Sequence, residues 1–200
     1  MTRTGLTLTA AACGCLLALG GCGDKTAAPA GGETGGNAQS GTGAAAGAMP
    51  ANWKATDACA IVTKEAVAEA LKLEVTDAEL GLVHEPGTAD AGTSECTYIG
   101  KDGGSVAQVM TRWSPINDNT AETIAAARNT AAAAIKPFTD KPMEDIPGLG
   151  KAAFMAPGIN ALTVFIDDAR MITLTPRKTG EGVSGKDAAI ALAKKGGAGG

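Results

Sequence analysis

The chain has 200 residues, a formal net charge of −4 and an aromatic content of 3%. It is long enough for one ordinary domain, and its acidic balance and few aromatic residues exclude the basic or stacking surfaces that bind nucleic acids. Glycine and alanine are concentrated in the first fifty residues and at the C-terminus, so the composition changes along the chain.

The N-terminal segment has the features of an export signal. Arg3 precedes a mostly apolar run of 14 residues from Leu6 to Leu19. A helix needs about 20 residues to cross a hydrocarbon layer of roughly 30 Å, so this run is too short to span a membrane and suits the centre of a signal peptide. It ends in Leu19-Gly20-Gly21-Cys22, which resembles the lipobox of bacterial lipoproteins.

The lipobox resemblance implies that residues 1–21 are removed and that Cys22 carries two or three acyl chains, palmitate among them. A single acyl chain binds a membrane reversibly, whereas several chains hold it stably. We therefore expect the protein to be lipid-anchored in a bacterial cell envelope, with the leaflet left open. The alternative is an ordinary secretory signal with a chance cysteine. Cys13 and Cys15 are rival acylation sites, but they lie inside the apolar run.

Residues 22–50 are predicted to be the lipidated cysteine and a flexible tether. Glycine, alanine and proline dominate the segment, and no hydrophobic periodicity indicates a helix. A coil of this length has a root-mean-square reach of roughly 30 Å. Residues 51–200 then form the folded domain, held above the membrane surface.

The first elements of the domain are a helix and three strands. Thr63 is a suitable N-cap, and Val62 and Val67 have the spacing of a hydrophobic staple, so a helix is predicted from Lys64 to Lys72. The expected order is then a short strand at 73–76, a long loop at 77–93, a strand at 95–99, a turn at 100–104 and a strand at 105–113. Both faces of the last strand are mixed, so periodicity does not decide which one enters the core.

The second half continues with helices and a hairpin. Asn119 and Glu122 resemble a capping box, and Pro137 ends the helix near Lys136. A loop at 145–150 leads into a strand near 152–155, and strands 161–166 and 171–175 pair around 167–170. Ser184 caps a last helix through Lys195, followed by a frayed glycine tail. The pattern predicts an α+β domain with a mainly antiparallel twisted sheet and about three helices packed against it.

Two of the five cysteines remain once residues 1–21, which contain Cys13 and Cys15, are removed and Cys22 is assigned to lipid. Cys59 and Cys96 form an even pair in an exported and therefore oxidising setting, which most simply predicts a disulfide. A redox-active pair is the alternative, but the Cys-x-x-Cys spacing that favours it is missing.

Short motifs within 57–195 resemble a family of uncharacterised small bacterial envelope lipoproteins. The chain has Asp57-x-Cys59-x-Ile61-Val62-Thr63, then Cys96-Thr97-Tyr98, then Gly148-Leu149-Gly150. That family has a domain of unknown function that opens with Asp-x-Cys-x-Leu-Leu-Thr and has a later Cys-x-Tyr or Cys-x-Trp. The resemblance implies an α+β envelope module with a disulfide, and it supplies no catalytic residue.

Candidate chemistry is sparse. His84 is the one histidine, and it could be combined with Ser94 or Ser105, but the Gly-x-Ser-x-Gly turn typical of hydrolases is missing. Zinc would need more His or Cys ligands, and Asp167-Asp168 lacks the pattern of a calcium loop. We therefore predict no catalytic residue, metal ligand or cofactor.

The leading hypothesis is a non-enzymatic binding or interaction module. Its partner would be another envelope protein or a small apolar ligand between the sheet and the helices. Tyr98 and Trp113 could line such a pocket or fill the core. An envelope hydrolase and a purely structural lipoprotein remain as alternatives.

Overall fold

A computed structural model describes residues 48–199, so the predictions for the signal peptide, Cys22 and most of the tether lie outside the described residues. The fold is α+β with one seven-stranded antiparallel sheet, which confirms the predicted class. The helices are α1 (Ala58–Ile61), α2 (Lys64–Leu71), α3 (Ala121–Ile135) and α4 (Gly185–Ala193), followed by a π-helical segment (Lys194–Ala198). The strands are β1 (Val75–His84), β2 (Gly92–Gly100), β3 (Ser105–Trp113), β4 (Glu144–Asp145), β5 (Ala152–Ala156), β6 (Ala161–Phe165) and β7 (Arg170–Pro176).

The strands lie in the order β1-β2-β3-β7-β6-β5-β4, so the two halves of the chain meet where β3 pairs with β7. Side chains alternate between the two faces of a strand, and the pairing register therefore assigns each residue to a face. We call the face that bears Cys96, Val109 and Leu174 the inner face, and the face that bears Thr97, Met110 and Thr173 the outer face.

The inner face packs against α1, α2 and α4 and forms the larger core. Thr63 caps α2 as predicted, because its hydroxyl accepts a hydrogen bond from the amide of Ala66. Val62 and Val67 are fully buried on either side of that cap. Val109 and Trp113 of β3 also lie in this core, which settles the face that periodicity left open.

The outer face has a smaller core beneath α3. Phe154 and Phe165 pack there against Ile135 at the end of the helix. The expected capping box is wrong in its position, because Thr120 is the N-cap of α3. Asn119 is instead buried, and its side-chain amide donates to two backbone carbonyl groups of the β6–β7 hairpin.

The predicted long loop at 77–93 is wrong, because β1 extends from Val75 to His84 and β2 begins at Gly92. The short strand predicted at 73–76 is the start of β1. Almost every residue of β1 is exposed, so the strand has no apolar alternation for a sequence pattern to reveal. The connecting loop is therefore only residues 85–91.

The predicted frayed tail is also wrong. The indole nitrogen of Trp53 donates to the carbonyl of Gly196 at 2.9 Å, and Leu149 forms a β-bridge with Gly199. Gly196 and Ala198 are buried. A side chain at 196 would lie 2.8 Å from Ile172, so glycine lets this segment approach the core.

The helices of the described region are short. Within residues 48–199, none is both long and apolar enough to cross a membrane.

Candidate interaction surface

The strand β1 is at one edge of the sheet, and its edge away from β2 pairs with no other strand in residues 48–199. It has ten residues, whereas β4 at the opposite end has two. Short edge strands offer few free backbone groups, and long exposed ones can pair with another chain. Of the two edges, β1 is therefore the one able to accept an additional strand.

Three apolar side chains of β1 are exposed: Leu80 at 46%, Leu82 at 77% and Val83 at 48%. We call these three residues the edge patch. Single exposed apolar residues are common, but adjacent ones on an unpaired edge mark a contact surface. The edge patch is therefore the main candidate for interaction.

A β-bulge shapes the edge patch. The register between β1 and β2 shifts between Gly81 and His84, and Leu82 has a φ of 49°. A leucine in the left-handed region costs roughly 1–2 kcal/mol relative to ordinary backbone. Because Leu82 is exposed, core packing does not offset this backbone strain. Strained backbone of this kind is frequently found at functional sites.

The hairpin β1–β2 is strongly acidic. Residues 73–100 contain six carboxylates and no lysine or arginine; the carboxylates are Glu74, Asp77, Glu79, Glu85, Asp90 and Glu95. The pairing register places Asp77 and Glu79 on the outer face of β1 and Leu80, which pairs with Cys96, on the inner face. The surface around β1 therefore combines exposed apolar groups with negative charge.

The outer face carries an exposed apolar group two strands away from β1, Met110, at 37% exposure. It lies on β3 between Glu95 of β2 and Thr173 of β7. The α3 helix packs farther along the sheet, where it contacts β5. The outer face therefore continues the accessible surface away from β1.

The β1–β2 hairpin is fixed to the helices from the inner side. Cys59 of α1 and Cys96 of β2 form the predicted disulfide, with their Cα atoms 5.1 Å apart. Two positions farther along β2, the hydroxyl of Tyr98 donates to the backbone carbonyl of Val62. Burial raises the pKa of this hydroxyl above its ordinary value, and the charge of Asp57 adds to the effect. The disulfide and this hydrogen bond therefore fix β2, the strand that pairs with β1, to α1.

The residues considered for hydrolysis are not brought together. Ser94 is buried on the inner face; its hydroxyl accepts from the amide of Ala58 at 2.8 Å and donates to the carbonyl of Ala55 at 2.7 Å. His84 is exposed and pairs with Thr93, and thus lies on the other face.

Ser105 pairs with Ile99 at the opposite end of β2 from Thr93, the residue that pairs with His84. Thr93 and Ile99 are six positions apart along β2, which is roughly 20 Å. In the described chain these serines and His84 therefore form no nucleophile and base pair.

A polar cluster joins β3 to the start of α3. Arg112 donates to both carboxylate oxygens of Asp118, and this hydrogen bonding holds the pKa of Asp118 below its ordinary value. The amide of Asn119 donates to the carbonyl groups of Asp167 and Arg170. The members satisfy one another, so the cluster fixes the loop before α3 to the hairpin.

The aspartates at the tip of the β6–β7 hairpin are also paired. Asp167 accepts from the amides of Ala169 and Arg170, and Asp168 forms an ion pair with Lys151. Within residues 48–199, histidine, cysteine and acidic side chains form no group of three that could hold a metal ion. The hairpin tip is thus a turn closed by its own hydrogen bonds.

Tyr98 and Trp113 fill the core and do not line a pocket, since Tyr98 is fully buried and Trp113 almost so. The fully buried side chains of Leu71, Leu174 and Leu192 fill the space between the sheet and the helices. The interface between sheet and helices is therefore closely packed in the described region.

Comparisons of the chain with family models, with curated proteins and with solved structures gave no match. The family resemblance of the short motifs therefore stays a prediction.

Sequence reasoning missed the β1 edge because it assigned these residues to a loop. One signal was present in the sequence: the stretch from 73 to 100 contains neither lysine nor arginine while carboxylates recur. Such a block of one charge is an interaction signal independent of secondary structure.

Proposed function

We propose that this protein is a lipid-anchored, non-enzymatic interaction module of the bacterial envelope, which uses the β1 edge to bind another envelope protein. The observation that carries the proposal is the edge patch, a set of exposed apolar residues on a ten-residue strand at the edge of the sheet. The disulfide and the Tyr98 hydrogen bond support the proposal, since both fix β2, which pairs with β1, to α1.

The anchor follows from the lipobox resemblance at Cys22, and the tether gives the domain a reach of roughly 30 Å from the membrane. Labelling with a radioactive or clickable fatty acid tests this part. Wild-type protein should incorporate the label and sediment with membranes, and Cys22→Ser should do neither. Labelling that persists in Cys22→Ser would refute the proposed acylation site.

A protein partner is favoured over a small apolar ligand. The space between sheet and helices is filled by buried leucine and valine side chains, whereas the three residues of the edge patch are exposed along β1. Edges and faces of sheets suit extended protein segments, and small molecules favour concave pockets.

The binding proposal is tested by chemical crosslinking in intact envelopes. The tagged wild-type protein is compared with Leu80→Lys and with Ile159→Lys, which changes an apolar residue of similar exposure, 49%, in the β5–β6 turn. The proposal expects one crosslinked protein that is lost in Leu80→Lys and kept in Ile159→Lys. Equal recovery in all three proteins, or no crosslinked species, would contradict it.

A further inference from the structure

We propose that β1 binds a positively charged, extended segment of its partner, which adds to the sheet as an eighth strand. This inference rests on the proposed function and names the class of partner that the β1 edge fits. Strand addition draws affinity from backbone hydrogen bonds and specificity from alternate side chains.

The backbone of β1 shows which groups face outward. The amide of Ala78 donates to the carboxylate of Asp77 at 2.8 Å instead of to β2. In an antiparallel pair, a residue directs both its N–H and its C=O to the same side, and this side alternates along the strand. The register is regular from Asp77 to Gly81, so the backbone groups of Leu80 face outward as well.

The outward-facing backbone groups of β1 differ in whether a side chain forms a hydrogen bond with them. At the start of β1, Lys64 donates to the carbonyl of Thr76 at 3.4 Å, and Asp77 accepts from the amide of Ala78. Side chains therefore cap the first part of the edge. The next outward residue is Leu80, which opens the edge patch, so an incoming strand meets free backbone and exposed apolar side chains together.

Charge selects the incoming strand. Asp77 and Glu79 lie on the outer face of β1, with Glu95 opposite Gly81 on β2. Within residues 48–199 none of these three carboxylates forms an ion pair, and Arg112 on the same face of β3 is paired with Asp118. A strand that alternates between the two faces, with lysine or arginine on the outer face and aliphatic residues on the inner face where Leu80 lies, complements both features.

The same charge disfavours two other occupants. A second copy of this chain would bring two acidic hairpins together, and like charges on adjacent strands are destabilising. Anionic lipid headgroups would be repelled for the same reason. The acidic surface therefore points to a basic protein segment.

The test uses the mature acylated protein in neutral detergent and a labelled octapeptide of alternating lysine and valine with blocked termini. Fluorescence anisotropy measures its binding. The proposal expects saturable binding that weakens when the salt concentration rises from about 50 to about 500 mM, because salt screens exposed charges. A peptide with glutamate in place of lysine should bind about tenfold more weakly or worse.

A second peptide separates strand addition from simple charge attraction. N-methylation of alternate amides keeps the charge and removes the donors that β1 needs. The proposal expects a loss of about tenfold or more, since each backbone hydrogen bond contributes about 1 kcal/mol. Equal binding of the methylated peptide, or of the glutamate peptide, would overturn the proposal, as would no binding of the lysine peptide.

Three variants locate the site on β1. Glu79→Gln and Leu80→Lys should each lower the affinity for the lysine peptide several-fold, while Ile159→Lys should leave that affinity unchanged. Thermal melting checks that each variant is folded. An equal loss in Ile159→Lys, or unchanged affinity in both β1 variants, would refute the assignment to β1.

Sedimentation velocity of the same preparation tests the alternative occupant. A dimer that Leu80→Lys dissociates would assign the edge to a second copy and overturn this inference. If the lysine peptide fails to bind but crosslinking in envelopes still depends on Leu80, only strand addition is wrong and the interaction function stands.

Discussion

The hydroxyl of Tyr98 donates a hydrogen bond to the backbone carbonyl of Val62, and both residues are fully buried. Val62 is the C-cap of α1, and Tyr98 lies on the inner face of β2, two residues before the strand ends. The bond therefore joins the end of α1 to the strand that supports β1. Together with the disulfide, it makes α1 and the acidic hairpin one structural unit.

Replacing Tyr98 with phenylalanine tests this bond. The carbonyl of Val62 would lose its side-chain donor inside the core, which should lower the free energy of unfolding by about 1–2 kcal/mol. Urea denaturation followed by tryptophan fluorescence gives the value. A change below about 0.3 kcal/mol would show that the bond adds nothing to stability.

The same bond predicts a pH dependence. Burial raises the pKa of Tyr98 in the folded state, and tyrosine in an unfolded chain titrates near 10. The stabilisation is therefore complete below about pH 10 and is lost as the pH rises from there toward the folded pKa. Tyr98 is the one tyrosine in the chain, so Tyr98→Phe should abolish this component. Equal alkaline loss in both proteins would contradict the assignment.

Removing the disulfide should destabilise the domain strongly. Cys59 and Cys96 are 37 residues apart, and chain entropy for a loop of that length gives about 4 kcal/mol. The double variant Cys59→Ala, Cys96→Ala should lower the free energy of unfolding by about that amount. The wild-type protein in reductant serves as the second measurement. A loss under about 1 kcal/mol in both would show that the hydrogen bonds and packing suffice.

The loop before β5 offers a matched pair of glycines. Both have positive φ, but a side chain at 150 would lie 2.5 Å from the backbone oxygen of Phe165, whereas a side chain at 148 would meet nothing within 4 Å. Gly148→Ala should cost about 1 kcal/mol and Gly150→Ala roughly 2–4 kcal/mol. Thermal and urea denaturation of the two variants compare them. Equal losses would mean that the close approach of residue 150 is relaxed at little cost.

The C-terminal segment should act as part of the core. Deleting residues 196–200 removes the acceptor of the Trp53 indole and the bridge at Gly199. We expect a red shift of tryptophan emission and a loss of about 2 kcal/mol or more. Lys195→Ala is the control, because it removes only an exposed ion pair with Glu69. An unchanged spectrum after the deletion would refute the packing of this segment.

Local signals predicted the parts of the fold that local interactions determine. The cap at Thr63, the stop before Pro137 and the pairing of β6 with β7 depend on neighbouring residues, and all three are confirmed. The pairing of Cys59 with Cys96 followed from counting the cysteines once Cys22 and the predicted signal peptide were set aside.

Other parts depend on contacts distant in sequence. Asn119 looks like a cap in sequence, yet its amide binds a hairpin about fifty residues away, and Thr120 caps the helix. Glycines 196 and 197 look like a tail, yet Trp53, 143 residues earlier, binds this segment. The β1 edge was missed for a different reason, since an exposed strand lacks the apolar pattern from which strands are predicted.

The most direct test of the interaction function is site-specific photocrosslinking from β1 in living cells. A photoreactive residue at Leu82 should yield one discrete adduct with another envelope protein, because this side chain is 77% exposed on the free edge. The same probe at Ile159 should yield none, and Glu79→Gln should reduce the Leu82 adduct. No adduct at Leu82, or the same adduct at both positions, would contradict the assignment of the β1 edge as the interaction surface.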